Sequence, residues 1–348
     1  MASRITVIGA GIFGLSCAWE LTRRGASVRV IEAARIGAGS SGGTVGALAP
    51  HAPENWNPKK QMQLDSLVAA EDWWDEIARA GGVDPGYART GRIQPADPGD
   101  RGRIEARIAA AAGNWPTGFD MRLTSAPEAA LVPDSPGGLW LVDNLTARLA
   151  PRRACAALAA AVRAAGGEIV EEAGPQHPDR TGPAIWATGA PGLAALGADL
   201  GRPMGGGVKG QSALLRPHAD PGALALAPQV FAEGVHIVPH ADGTVAVGST
   251  SERDVADTTT DAQLDALIAR AQAICPALAG AEVVDRWAGI RPRALSRAPL
   301  IGPWPGRPGH LVANGGFKIG LAMAPVAAAL LADLLEGRDR IPDGFRPD

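Results

Sequence analysis

Cysteine is scarce in this chain of 348 residues: only Cys17, Cys155 and Cys275 occur, far apart and with no C-x-x-C pair among them. That spacing disfavours a structural zinc site or a disulfide framework and suits a reducing compartment. Lysine is almost as rare, at 59, 60, 209 and 318, against abundant arginine, alanine, glycine and proline. Genomic base composition explains that bias better than function does, yet it leaves Lys209 and Lys318 conspicuously isolated. Long runs of one charge are missing and the net charge is −3, so nothing marks a nucleic-acid-binding surface. Long apolar runs are missing too. The longest, 321–335, contains Pro325 and Asp333 and is shorter than the ~20 residues a bilayer span requires. The start shows no basic region followed by an apolar stretch and a cleavage site, so the expected location is cytoplasmic. No metal site is expected.

What is present is enough chain for about two domains, with a hydrophobic fraction of 46% that is ordinary for a globular protein. Residues 4–32, RITVIGAGIFGLSCAWELTRRGASVRVIE, carry the most information. A β-branched run (Ile5, Thr6, Val7, Ile8) meets Gly9-Ala10-Gly11-Ile12-Phe13-Gly14, followed by an amphipathic stretch, a second apolar strand and Glu32. Gly9 permits a tight turn, Gly11 lets backbone N–H groups approach a pyrophosphate, and Gly14 allows close helix–strand packing. The helix N-terminus adds partial positive charge for the phosphates. Glu32, roughly 20 residues on, can accept hydrogen bonds from ribose hydroxyls. Strand, turn, helix, strand and acid in this order read as a dinucleotide-binding unit. No second G-x-G-x-x-G follows downstream, so a separate nicotinamide domain is not expected.

Periodicity predicts helices over 60–80 (with Leu64, Leu67, Val68, Trp73, Trp74 and Ile77 buried), 103–112, 154–165, 260–275 and 322–336. Strands are predicted over 168–171, 184–187, 208–215, 235–239, 244–248, 282–291 and 310–313, with Asp242-Gly243 as a hairpin turn. Strand–helix units at 4–32, 154–189 and 310–336 alternate with antiparallel segments in 45–150 and 207–293. That interleaving predicts two discontinuous domains, with a nucleotide unit assembled from both chain ends. The turn Asn314-Gly315-Gly316 precedes the last helix, whose N-terminus could face a cofactor ring and stabilise negative charge there; an ordinary glycine turn is the alternative.

Beyond the first unit, the Ser40–His51 loop, Ala187-Thr188-Gly189, Val208-Lys209-Gly210-Gln211, His236-Ile237-Val238-Pro239 and Val247-Gly248-Ser249-Thr250 fall in a recognisable order. Trp287-Ala288-Gly289-Ile290-Arg291-Pro292, Pro299-Leu300-Ile301-Gly302-Pro303 and Gly316-Phe317 through Pro325 complete it. With these segments the chain resembles the glycine oxidase and D-amino-acid oxidase family of FAD-dependent amine oxidoreductases over nearly its whole length. The resemblance implies an α/β plus α+β fold: a Rossmann-like FAD-binding domain from 1–50, 151–206 and 295–348, and an antiparallel-sheet substrate domain from 51–150 and 207–294. It implies noncovalent FAD, held by Gly9, Gly11, Ile12, Phe13, Gly14, Glu32, Ala33, Ser40, Ser41, Gly42, Thr188, Gly189, Arg291, Gly316, Phe317, Lys318, Ile319 and Gly320. The implied reaction is hydride transfer from the carbon α to an amine onto flavin N5, giving an imine. Glycine, sarcosine, a D-amino acid or a cyclic imino acid would be the substrate, and O2 or another acceptor the electron sink. A homo-oligomer is compatible with the chain.

Arg291 sits where the family places the arginine that holds a substrate carboxylate, a role suited to a planar guanidinium fork. Lys318 takes the place of a second arginine, and His236 that of a carboxylate-binding tyrosine. His236 could equally be a buried structural residue, and His51 could line the flavin or serve packing. Lys209 is assigned a structural role. His51, His236 and Ser249 show no spacing of a catalytic triad. The connection 172–183, with Pro175, Pro178 and Pro183, is too short for the family's usual β-meander, so adenine-side contacts must be lost or differently supplied. Two other readings keep the fold: a dehydrogenase that passes electrons to a quinone or carrier protein, and a non-catalytic flavoprotein subunit.

Overall fold

The computed structural model describes residues 4–176 and 182–348, so Pro178 lies outside the described residues. The β-branched runs form Ile5–Ile8 and Val28–Ile31, the centre of a six-stranded sheet. Its strand order is Leu300–Pro303, His310–Asn314, Ala184–Trp186, Ile5–Ile8, Val28–Ile31, Glu168–Val170. All neighbours are parallel except the edge pair Leu300–Pro303 and His310–Asn314. Parallel strands buried on both faces need helices on each side, and Ile12–Arg23 supplies one with nearly every residue buried. It packs against the last helix, Gly320–Leu335. Arg24 joins the two: its Nη1 lies 2.8 Å from Asp333 Oδ1 and its Nη2 2.5 Å from Glu20 Oε1, both carboxylates being buried. The chain's two ends are therefore pinned together beneath one sheet.

The second sheet runs Glu252–Arg253, Gly205–Arg216, Val245–Gly248, Val235–Pro239, Gln229–Ala232, Arg92–Pro95, Trp140–Asp143, Met121–Thr124, with Glu282–Ala294 also paired to Gly205–Arg216. Only Gln229–Ala232 and Arg92–Pro95 are parallel. The two long strands pair from Gly205↔Ala294 to Arg216↔Glu282, with a register shift at Leu214/Leu215. Arg291 is thus fixed opposite Val208. Lys209 has the structural role assigned from sequence: its buried ammonium sits 2.9 Å from Asp257, 3.6 Å from Asp261 and 3.7 Å from Glu252.

The helices expected over 60–80, 103–112, 154–165 and 322–336 begin two or three residues earlier, in Pro58–Gly81, Arg101–Asn114, Pro151–Ala164 and Gly320–Leu335, whereas that expected over 260–275 is shorter, Ala262–Ile274. The helix expected over 60–80 spans Pro58–Gly81: Asn57 accepts the Lys60 amide, Pro58 occupies the first turn, and Gly82 ends it in the left-handed region at φ +67°. Val68 is half-buried and packs against the core beside Leu64, Leu67, Trp73, Trp74 and Ile77, which are buried. The strands Arg92–Pro95, Met121–Thr124 and Trp140–Asp143 were not foreseen. After Glu168–Val170 the short connection runs back along the end of Val28–Ile31. The amides of Glu172, Ala173 and Gly174 donate to the carbonyls of Ala34, Glu32 and Ala33.

Candidate active site

The four parallel strands Ile5–Ile8, Val28–Ile31, Ala184–Trp186 and His310–Asn314 all deliver their C-terminal turns to one place. There a cavity of about 730 Å³ runs from Glu32 to Arg291 and His236. Ligands bind at the carboxyl ends of such strands because helix N-termini and free backbone amides collect there. Three helices, Ile12–Arg23, Gly189–Leu200 and Gly320–Leu335, begin at this cavity, and none has a side-chain cap at its N-cap residue. Each therefore presents first-turn amides to whatever fills the space.

Local sequence explains the approach. Gly9 adopts φ +102°, and a Cβ there would lie 2.6 Å from the Ala187 carbonyl oxygen. A Cβ on Gly14 would meet the Gly9 oxygen at 1.9 Å, so strand and helix can pack this closely only with glycine. Ser41 Oγ accepts the Ile12 amide at 2.9 Å. Glu32 accepts the amides of Ala10 at 2.7 Å and Ala34 at 2.9 Å, which aims its carboxylate while leaving further lone pairs for hydroxyl donors. Gly174, Pro175 and Gln176 also line this end. The short connection thus puts its own backbone where no meander fits.

Gly9, Gly11, Ile12, Phe13, Glu32, Ala33, Ser40, Ser41, Thr188, Gly189, Gly316, Phe317, Lys318, Ile319 and Gly320 line the cavity together with Arg291, His236 and His51. Gly14 and Gly42 do not, and both are corrections. Gly14 sits beneath the Gly9 turn, and Gly42 faces a smaller recess beside Arg152 and Cys155. Neither has room for a Cβ, which would meet the Gly9 oxygen at 1.9 Å from Gly14 and the Gly37 oxygen at 2.5 Å from Gly42.

At the far end Arg291 is 7% exposed. Its Nη1 donates to Ser249 Oγ at 2.7 Å, and its Nη2 donates to the carbonyls of Thr250 at 2.6 Å and Lys209 at 3.2 Å and to Ser251 Oγ at 3.2 Å. Nε is buried beside Gly210 and has no hydrogen-bond partner among the described residues. Among the described residues no carboxylate touches the guanidinium, and burial pulls it down to about 10, still charged at neutral pH. The C-terminal turn is zipped to the same strand end: Phe317 N–H donates to the Pro292 carbonyl at 2.9 Å, and Arg293 bridges Gly316. Phe317, at φ +44°, thereby places its ring 5.1 Å from Arg291 Cζ, and Lys318 Nζ lies 5.8 Å from that ring. Burial and the Arg291 charge lower the Lys318 ammonium from its ordinary value.

The His236 ring lies against Phe231, centroids 4.6 Å apart and planes tilted by 42°, and its buried Nδ1 has no hydrogen-bond partner among the described residues. Burial, with the Arg92 and Lys318 cations nearby, pushes it down to about 3, so it is neutral at physiological pH. His51 shares Gln63 Oε1 through both its backbone N–H and Nδ1. Burial lowers its pKa as well. Ser249 bonds to Arg291 and not to a histidine, so no triad forms. Sequence reasoning missed Arg92, Gln94, Arg107 and Met121, all on the cavity wall. Arg92 is buried and held by Asp143 through Nε at 3.0 Å and Nη2 at 2.9 Å; a lone arginine opening a short strand was the only signal. Arg107 pairs with Glu54 at 2.7 Å.

One continuous chamber, with a dinucleotide cradle at one end and a cationic pocket floored by an antiparallel sheet at the other, defines a dinucleotide-dependent oxidoreductase. Residues 4–334 match the family model described as DAO, FAD dependent oxidoreductase, and the chain belongs to that family. It is 30% identical to a glycine oxidase of Pseudomonas aeruginosa over 374 aligned residues, covering 99% of this chain and 97% of that protein. The crystal structure of glycine oxidase from Geobacillus kaustophilus superposes with a TM-score of 0.85 at 25% identity, covering 99% and 98% of the two chains. Iminodiacetate oxidase from Chelativorans sp. superposes with a TM-score of 0.84 at 25% identity, covering 99% of each chain. Among the described residues no helix is long and apolar enough to cross a membrane, and no cluster of histidine, cysteine, aspartate or glutamate could hold a metal ion.

The residues present fit FAD. The glycine turn and the start of the first helix would suit the pyrophosphate, Glu32 a ribose, and the uncapped start of Gly320–Leu335 the electron-rich edge of a reduced isoalloxazine.

Proposed function

We propose that this enzyme oxidises a small amine bearing a carboxylate, in the cytoplasm, with O2 as the electron acceptor. When bound, FAD would supply the two-electron acceptor for the hydride on the carbon α to the amine, and water would hydrolyse the imine product. Everything else falls to the chain's own residues. Arg291 carries the reading: a buried guanidinium on the cavity wall, charged at neutral pH and with no carboxylate partner among the described residues, calls for an anion. Backbone carbonyls and serine hydroxyls hold it rigid without neutralising it. A carboxylate docked there has its Cα–H direction fixed, which is the main protein contribution when a cofactor does the chemistry.

Glu32 is the only carboxylate on the cavity wall among the described residues, and it lies at the nucleotide end. No side chain therefore compensates an ammonium at the substrate end, and Arg291 and Lys318 oppose one. The amine binds neutral, with its lone pair free to assist hydride loss. We also propose that the strands of the two sheets mark two discontinuous domains, cofactor and substrate, with the chamber between them. Anaerobic mixing of the holoenzyme with glycine, sarcosine and small D-amino acids tests the reading. Bleaching of the visible flavin band, then peroxide on admitting air, is the expected result. A flavin that none of these reduces contradicts it, and bleaching without peroxide moves the electrons to a carrier.

A further inference from the structure

One short stretch of chain joins the phosphate turn to the mount of Arg291. Ser41 holds the Ile12 amide at the start of the first helix. At the other end a Cβ added to Gly248 would lie 2.4 Å from Val45 Cγ2, beside the Ser249 that binds Arg291. Ser41 and Val45 are four residues apart, about 14 Å of chain at most. The chamber wall between pyrophosphate and substrate clamp, where the reacting ring of the cofactor must lie, therefore includes residues 43–46.

This wall offers donors that nothing in the chain uses. Thr44 and Gly46 are buried and Val45 is half-buried, and the N–H groups of all three make no hydrogen bond among the described residues. Roughly nine in ten or more of the buried backbone donors in folded proteins are satisfied, so three adjacent free donors on a chamber wall call for a ligand. The carbonyl side is held instead. His240 Nε2 lies 2.9 Å from the Thr44 carbonyl oxygen, and Thr44 Oγ1 donates to Ser212 Oγ at 2.8 Å.

His240 is buried and fixed by its own hairpin, its N–H donating to the Thr244 carbonyl at 2.8 Å and its carbonyl accepting the Gly243 amide at 3.2 Å. A carbonyl only accepts, so Nε2 carries the hydrogen. Nδ1 keeps the lone pair and has no hydrogen-bond partner among the described residues. Burial lowers the pKa of the ring, which leaves it neutral at physiological pH. The peptide between Thr44 and Val45 is trans, so drawing its oxygen toward His240 turns the Val45 N–H the opposite way. A peptide that accepts at its oxygen also donates more strongly at its nitrogen.

We infer that His240 is a positioning residue for the cofactor: its Nε2–H holds the Thr44 carbonyl, aims the Val45 N–H at the flavin ring, and so makes the bound flavin easier to reduce. Reduction adds electron density to the ring, and a donor at its edge binds the reduced form more strongly than the oxidised one. The inference goes beyond the substrate reading above and needs no particular amine.

The test is a reductive titration of the holoenzyme against a reference dye, without amine, in the parent, His240→Leu and His240→Gln at matched FAD content. In His240→Leu the equilibrium constant for two-electron reduction falls about three- to tenfold, the worth of one hydrogen bond, which lowers the potential by about 15–30 mV. His240→Gln, whose amide N–H can reach the Thr44 carbonyl, recovers most of that shift. A parent potential retained in His240→Leu overturns the inference. So does an equal loss in both variants, which would leave the ring only filling space. If His240→Leu does not hold FAD, the nitrogen-15 spectrum of the parent holoenzyme decides, with His240 assigned by the signals missing from His240→Gln. A hydrogen on Nε2 is expected there, and a hydrogen on Nδ1 overturns the inference. Because no amine is present, none of these outcomes depends on the substrate assignment.

Discussion

Gly210 lies directly beneath the Arg291 guanidinium: a Cβ added there would sit 2.4 Å from Cζ, 2.5 Å from Nη2 and 2.7 Å from Nε. The glycine is required by space and not by backbone angle. The neighbouring residues complete the mount, since the Lys209 carbonyl accepts from Nη2 while the Lys209 ammonium and the Gln211 amide tie down residues 252–261. That segment follows Ser249, Thr250 and Ser251, the other partners of the guanidinium.

Gly210→Ala should therefore push Arg291 off its carbonyl partners while deleting nothing. Overpacking of this kind costs about 1–3 kcal/mol. The expected outcome is a KM for the amino-acid substrate raised about tenfold, with FAD content unchanged because the phosphate cradle lies at the other end. Steady-state kinetics beside a flavin absorbance ratio checks both halves.

The pH dependence of substrate oxidation should reflect the substrate's own amine. His236 is held at about 3 and Arg291 at about 10, so neither titrates near neutral pH. The rate of flavin reduction at low substrate should rise with pH along a single limb as the free amine deprotonates. A limb that moves when His236 is replaced by asparagine would contradict this.

His236 also carries a stability signature. The unfolded chain binds a proton on this ring below about 6.5, whereas the folded chain does not until about 3. Across that window the unfolded state holds more protons, so stability falls as pH falls, by up to ~1.4 kcal/mol per pH unit from this group. Urea titrations at two pH values should show a shallower acid loss in His236→Asn than in the parent.

FAD should be released by acid precipitation, leaving a colourless pellet. Cys17, Cys155 and Cys275 are buried and absent from the chamber wall, and burial pushes Cys17 and Cys155 up to about 12 and Cys275 to about 11. Such thiols are poor nucleophiles. His51, held by Gln63, is the one attachment candidate on the wall that the sequence named. A yellow pellet lost on His51→Ala would show a covalent link.

The dinucleotide end was legible because its chemistry is local: Gly9 through Glu32 are consecutive, and each residue type answers one steric or electrostatic demand. Arg291 and Lys318 were legible only through a resemblance, since nothing near either one in sequence says that Phe317 lies between them. Arg92, Gln94 and Arg107 were not legible. Arg92 reaches the chamber because its strand pairs with Gln229–Ala232, well over a hundred residues away, and no local pattern encodes that pairing. Gly14 and Gly42 lie off the cavity wall because their spacing was set by close backbone packing, against Gly9 and Gly37. Helix starts such as Pro58 were displaced because capping decides them and apolar spacing does not.

The central claim is that Arg291 clamps a substrate carboxylate in front of the cofactor. The measurement that bears on it most directly is anaerobic flavin reduction by the best amino-acid substrate in the parent and in Arg291→Leu, at matched FAD content. Loss of one charge-assisted contact is worth about 1.5–3 kcal/mol, or roughly 10- to 150-fold in half-saturating concentration, with a further drop in limiting rate if the Cα–H bond is misaimed. The account predicts that loss. An Arg291→Leu enzyme that reduces its flavin with the parent's concentration dependence and rate would contradict it.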